Sequence, residues 1–165
     1  MLNIPDLSIT DARRFTRTLA LLEFTETLEP NVVEVVSGPQ ELSVMDVVPE
    51  VVVTRGVWPH LDPNWKGKVF FTMTADGSMF EFGSPSIPNG KLVPAGRVFR
   101  VDPLELHWLR PDPVVSDSWT GLQWVVPLEQ EEAFASSLAA AIGRWNEPDF
   151  ALPALDIKEA DAPWL

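Results

Sequence analysis

Between Val32 and Val126 the chain alternates short β-branched and aromatic runs with clusters of Gly, Pro and Asp, and this rhythm restricts the fold more than any other feature. Such short, closely spaced runs leave no room for the helical crossovers that parallel strands need. They point to a mainly β chain built as an antiparallel sandwich or barrel. The expected strands lie at 32–36, 42–54 (bent near Pro49), 68–74, 78–83, 97–101, 106–109 and 122–126. Ser37-Gly38-Pro39, Ala75-Asp76-Gly77 and Asp102-Pro103 supply the turn signals.

Two segments depart from this rhythm. From Thr10 to about Thr27 no Pro or Gly interrupts the chain, Ser8 or Thr10 can cap, and Asp11 favours the dipole of a first turn. Phe15, Leu19, Leu22 and Phe24 supply an approximate apolar face, which predicts a helix with Arg13, Arg14 and Arg17 on its solvated side. Glu129 to about Trp145 predicts a second helix, with acids first, Phe134, Leu138, Ala141 and Ile142 at helical spacing, and Arg144 in the last turn. The expected division is one β domain over 1–147 and an acidic, Pro-containing tail over 148–165, either an irregular strap or partly disordered.

Charge and composition exclude several functions. Twelve Lys and Arg face 24 Asp and Glu, for a net charge of -12, and the basic residues are scattered. A nucleic-acid partner needs a basic footprint, so neither nucleic acid nor an anionic membrane is expected. Cysteine is absent, which removes thiolate ligands, disulfides and cysteine nucleophiles; tyrosine is absent too. No apolar run is long enough for a spanning helix, and the N-terminus lacks the pattern of a secretory signal, so a cytoplasmic location is the expectation.

The chain has two histidines, His60 in Trp58-Pro59-His60-Leu61-Asp62-Pro63 and His107 in Leu104-Glu105-Leu106-His107-Trp108-Leu109. Residues i and i+2 of a strand share a face, so His60 and Asp62 can reach one ion, with His107 as a third ligand from a neighbouring strand. Two imidazoles and a carboxylate form the facial set of non-haem Fe(II) oxygenases. Alone, His-Leu-Asp is a weak signal, and two unrelated histidines remain the plainer alternative.

The stretch before His107 adds to it. Pro94-Ala95-Gly96-Arg97-Val98-Phe99-Arg100-Val101-Asp102 resembles the P-G-x-x-x-x-F-D segment that precedes the distal histidine of Fe(II)- and 2-oxoglutarate-dependent oxygenases. Val69 to Met73 is similar to the strand after that family's H-x-D motif, Gly77 to Gly83 to its Gly-containing stretch, and Gly121 to Val126 to its closing strand. The resemblance spans about Trp58 to Val126. It implies a double-stranded β-helix, of jelly-roll or cupin-like form, with a supporting helix at each end. It also implies Fe(II) held by His60, Asp62 and His107, 2-oxoglutarate as co-substrate, and hydroxylation of a small organic molecule or a peptide side chain.

One departure stands out. The family's basic residue about ten positions after the distal histidine holds the far carboxylate of 2-oxoglutarate, yet no Lys or Arg occurs between Arg110 and Arg144. Arg100, Lys68 and Arg110 are the candidate substitutes. Trp108 is the candidate for lining a substrate pocket, while Asp46, Glu50, Glu81 and Glu105 are expected at solvated strand positions. Two other readings stay open. One is a non-catalytic cupin-like binding domain; the other is a nucleotide-processing trimer, since His60 to Gly67 loosely resembles a stretch of dUTPases and dCTP deaminases.

Overall fold

The computed structural model describes residues 7–10, 13–77, 80–85, 87–111 and 118–157. Helix α1 (Leu19–Thr27) comes first, then strands β1 (Val33–Ser37), β2 (Glu50–Thr54), β3 (Val57–His60) and β4 (Lys68–Asp76). Strands β5 (Glu81–Ser84), β6 (Ile87–Leu92), β7 (Val98–Val101), β8 (His107–Arg110) and β9 (Trp119–Pro127) follow, and helix α2 (Glu131–Trp145) comes last. The strands make two antiparallel sheets, ordered β1-β2-β9-β4-β7 and β3-β8-β5-β6. Among the described residues no helix is long and apolar enough to cross a membrane.

One rule orders the pairing. β2 pairs with β9, β3 with β8, β4 with β7 and β5 with β6, all antiparallel. Strands β2 to β5 therefore form the outgoing arm of one long hairpin, and β6 to β9 form the returning arm. Successive pairs fall in alternate sheets, so the ribbon is rolled. Contacts β4·β9 and β5·β8 join the pairs within each sheet, and β1 extends the first sheet at its edge.

The near-continuous apolar runs of β2 and β4 follow from burial on both faces. On one face Val51, Val53, Phe71, Leu122 and Trp124 pack against α2 through Phe134, Leu138 and Ile142. On the other, Val52, Phe70 and Trp119 meet Phe82 and Leu109 of the second sheet. Phe71 and Phe134 lie 5.1 Å apart between ring centroids. Trp124 stacks on Trp145, and its indole N–H donates to the Leu42 carbonyl at 3.0 Å. Helix α2 carries Glu131 and Glu132 in its first turn and Arg144 in its last, so its charges complement the macrodipole.

Several elements differ from expectation. Residues 13–18 are not helical, and α1 begins at Leu19 with Thr18 as its cap. The preceding segment spends its backbone groups elsewhere: Ile9 N–H donates to Gly96 O, while Thr16 O and Thr18 N–H bond Leu155. The buried residues of α1 are Leu21 and Thr25, whereas Leu19 is exposed. Only Glu50–Thr54 of the expected 42–54 strand is extended, because Met45 and Asp46 turn the chain at positive φ. β6 was not expected at all. It holds Pro88 and Gly90, which an interior strand resists, but it lies at a sheet edge where both are tolerated. The start of the expected 78–83 strand, at 78–79, lies outside the described residues, as does 158–165 of the tail. Residues 148–157 run irregularly, and Leu155 and Ile157 bury themselves in the main core.

The arginines also behave differently. Arg17 donates to Thr120 Oγ1 at 2.9 Å and pairs with Asp76 at 3.2 Å. Arg13 hydrogen-bonds the Trp145 and Glu147 carbonyls and lies over the Phe150 ring. Only Arg14 faces solvent. Arg13 and Arg17 tie the N-terminal segment to the body of the domain.

Candidate metal centre

His60 ends β3 and His107 begins β8, and the two are directly opposed across the pair. Directly opposed residues share a face, and here the ring centroids lie 4.3 Å apart. Asp62 lies just beyond the end of β3. Its N–H donates to Pro103 O at 2.8 Å, and its carbonyl accepts from Trp65 N–H at 3.0 Å. The first bond pins Asp62 to the connection that leads into His107. That connection is a tight turn in which Asp102 accepts from Leu104 N–H through its side chain and from Glu105 N–H through its carbonyl.

Three ligand atoms converge. His107 Nε2 is 3.1 Å from Asp62 Oδ2, and His60 Nε2 is 3.7 Å from the same oxygen. One atom from each residue falls within 4.8 Å of the others. An octahedral ion with bonds of about 2.1 Å needs adjacent ligand atoms about 3 Å apart, so small side-chain movements suffice to close the set. Tautomers are determined locally. His60 Nδ1 lies 2.8 Å from Trp58 O and His107 Nδ1 lies 2.8 Å from Glu105 O. A carbonyl only accepts, so both Nδ1 atoms carry hydrogen, and each neutral ring presents its Nε2 lone pair to the shared point. The donor set fits a divalent cation.

The local charges agree with that geometry. Asp62 is held below the usual carboxylate range, chiefly by the hydrogen bond from His107, against the opposing effect of burial. Burial works against a charge on His107, yet the hydrogen bonds to Asp62 and Glu105 O, with the charges of Asp62 and Asp102, leave its pKa raised. A proton on His107 Nε2 and a cation would compete for the same lone pair.

The three residues open onto a cavity of about 430 Å³ between the sheets. Its lining is largely apolar, with Val52, Phe70, Phe82, Phe99 and Leu109 among the contributors. Trp108 also lines it, and lies against Gly83, its cross-strand partner. Trp58 is 73% exposed, and Trp124 is in the core.

None of the Lys or Arg among the described residues lines the cavity. Arg100 lies on the opposite face of β7 from Phe99 and pairs with Glu131 of α2. Arg110 pairs with Glu81 at 2.6 Å at the surface. Lys68 begins β4 outside the lining. The three candidate stand-ins thus leave the second carboxylate of 2-oxoglutarate without a cationic partner, and the lining does not fit that co-substrate. A triphosphate meets the same difficulty.

Glu50 was expected in solvent and instead lines the cavity. Burial lifts its pKa, partly offset by the hydrogen bond from Gln123. Sequence reasoning missed Glu50, Gln123 and Thr72, which all line the cavity. Their signal was the spacing Glu50, Val52, Thr54, one face of β2 hidden within a run that is buried on both sides. No protein-family model matches the chain, and no curated protein shows significant similarity to it.

Proposed function

We propose that this chain is a mononuclear non-haem Fe(II) oxygenase of double-stranded β-helix architecture, oxidising a small organic molecule held in the cavity. The observation that carries the reading is the convergence of two imidazole Nε2 atoms and one carboxylate at the wall of a largely apolar cavity. His60, Asp62 and His107 would hold the iron as a three-ligand facial set, and iron held there would supply the oxidising chemistry. The strand order supports the architecture. With β1 set aside and the other eight counted from one, the sheets read 1-8-3-6 and 2-7-4-5, as a rolled eight-stranded hairpin requires.

The chain's own residues do the rest. Trp58 O and Glu105 O orient the two imidazoles, Pro103 O fixes Asp62, and the apolar walls exclude water from the open side of the site. Asp62 as a carboxylate ligand favours hydroxylation over halogenation, because no position is vacated for halide.

Anaerobic titration of Fe(II) into metal-free protein tests the reading, with one equivalent bound as the expected result. Retention of stoichiometric binding in His107→Ala would sink the assigned triad. Addition of 2-oxoglutarate then decides the co-substrate: a visible charge-transfer band means chelation despite the missing cation, and its absence means another reductant. No metal binding at all would favour the cupin-like binding domain.

A further inference from the structure

The cavity contains a second polar feature, unrelated to the triad. Glu50 of β2 lies opposite Gln123 of β9, Gln123 lies opposite Thr72 of β4, and Thr72 lies opposite Phe99 of β7. All four line the cavity, so they form one continuous row across the inner face of the first sheet. Thr72 Oγ1 donates to Gln123 Oε1 at 3.4 Å. The Gln123 amide in turn hydrogen-bonds the Glu50 carboxylate. Donors in the row are thereby directed along it, and acceptor capacity collects at its Glu50 end, since a carboxylate offers about four lone-pair sites.

This is an unusual thing to build into an apolar cavity. A half-buried carboxylate loses hydration, and its compensation here is one amide, with no Lys or Arg among the described residues of the lining. Among the described residues, what the lining lacks is a cation. The other carboxylate of the lining, Asp62, has its own partners in the two histidines. We infer that the Glu50–Gln123–Thr72 row is a head-group subsite for the ammonium of an amine substrate, whose apolar body fills the space between the row and the metal centre. The aromatic walls suit such a ligand, because Trp and Phe faces attract cations. A net charge of -12 draws cations toward the protein and opposes anions. A space of about 430 Å³ lies within the ordinary range for small-molecule sites.

The inference deepens the proposed function by naming its substrate class, but its test does not need the metal. Three probes of one shape, n-hexylammonium, n-hexanol and n-hexanoate, are titrated into metal-free protein and followed by calorimetry. The expected order is ammonium over alcohol by about tenfold, the size of one charge-assisted hydrogen bond, with hexanoate weakest. In Glu50→Gln the ammonium should fall to the level of the alcohol while alcohol binding holds. Hexanoate binding as tight as hexylammonium in the wild-type protein would overturn the inference, and so would undiminished ammonium preference in Glu50→Gln. The wild-type series stands alone if the variant does not fold. Co(II) binding, read from its d–d absorption, is measured in parallel. Its loss with ammonium preference intact sinks the metal reading alone; the reverse pattern sinks the subsite alone.

Discussion

His60 lies opposite His107, while Val57 lies opposite Leu109. Three steps along β3 therefore match two steps along β8, and the strand holds one extra residue between the two pairs. In an unbroken strand, positions three apart face opposite ways. The bulge turns Val57 and His60 to the same side, and both line the cavity. Bulges re-aim side chains in this manner beside functional sites. Pro59, which lacks an N–H, falls within the irregular stretch on an edge strand, where no ladder bond is lost.

If the bulge serves metal binding, the two histidines should matter to the ion far more than to the fold. His60→Ala and His107→Ala should each weaken Co(II) binding by more than about a hundredfold, beyond the range of changes that act through a ligand's orientation. His60 is only partly buried, so His60→Ala should change stability by no more than about 0.5 kcal/mol. Calorimetric titration and urea unfolding of the same preparations check both statements. A loss of only a few-fold in affinity would place the ion elsewhere.

Glu50 gives a pH signature of opposite sign to most surface carboxylates. Its folded-state pKa is raised, so between the ordinary value and the raised one the folded state binds more protons than the unfolded. Stability contributed by this group therefore falls as pH rises through that interval, and the penalty is complete above it. Glu50→Gln should be more stable than wild type at neutral pH, and the advantage should shrink as pH falls toward the ordinary carboxylate value. Thermal unfolding from pH 4 to 8 would reveal the convergence. Parallel curves would mean that Glu50 titrates as if in water.

How far the residues announced this arrangement depends on which force decides each element. Strands β1, β4, β7, β8 and β9 were legible because breakers bound their apolar runs, and α2 because its stripe and end charges agree. The start of α1 was not, since the bonds from Ile9, Thr16 and Thr18 to distant residues override a good local helix pattern. The two-sheet, mainly β class was readable, whereas β6 depended on its edge position. His60, Asp62 and His107 could be picked out by type, but their meeting depends on a bulge that no spacing rule marks. Glu50 was hidden because a strand buried on both faces loses the alternation that would have separated its inner side.

The segment before α1 separates two arginines that look alike in sequence. Arg17 is mostly buried and bonds both Thr120 and Asp76, whereas Arg14 is exposed. Arg17→Ala leaves buried Thr120 without that donor and loosens the N-terminal segment from β9, which should cost about 1–2 kcal/mol. Arg14→Ala should stay within about 0.5 kcal/mol of wild type. Equal effects in urea unfolding would restore the expected solvated arginine face.

Gly83 and Trp108 test the cavity wall. They are cross-strand partners, and a Cβ added at Gly83 would stand 2.0 Å from Trp108 Cε2, far inside contact distance. Gly83→Ala must therefore push the indole aside, with an overpacking cost of about 1–3 kcal/mol. Trp108→Phe removes the clashing ring and costs something in lost packing. Because the two changes act on one space, the double variant should be more stable than the sum of the single effects predicts, with a coupling of about 1 kcal/mol or more. His107 is anchored separately, through Glu105 O and Asp62, so Co(II) affinity should stay within about twofold in all three proteins. Additive stabilities would mean that Trp108 does not rest on Gly83. A large fall in Co(II) affinity would mean that the wall and the metal centre are one unit, with Trp108 setting the position of the histidine beside it.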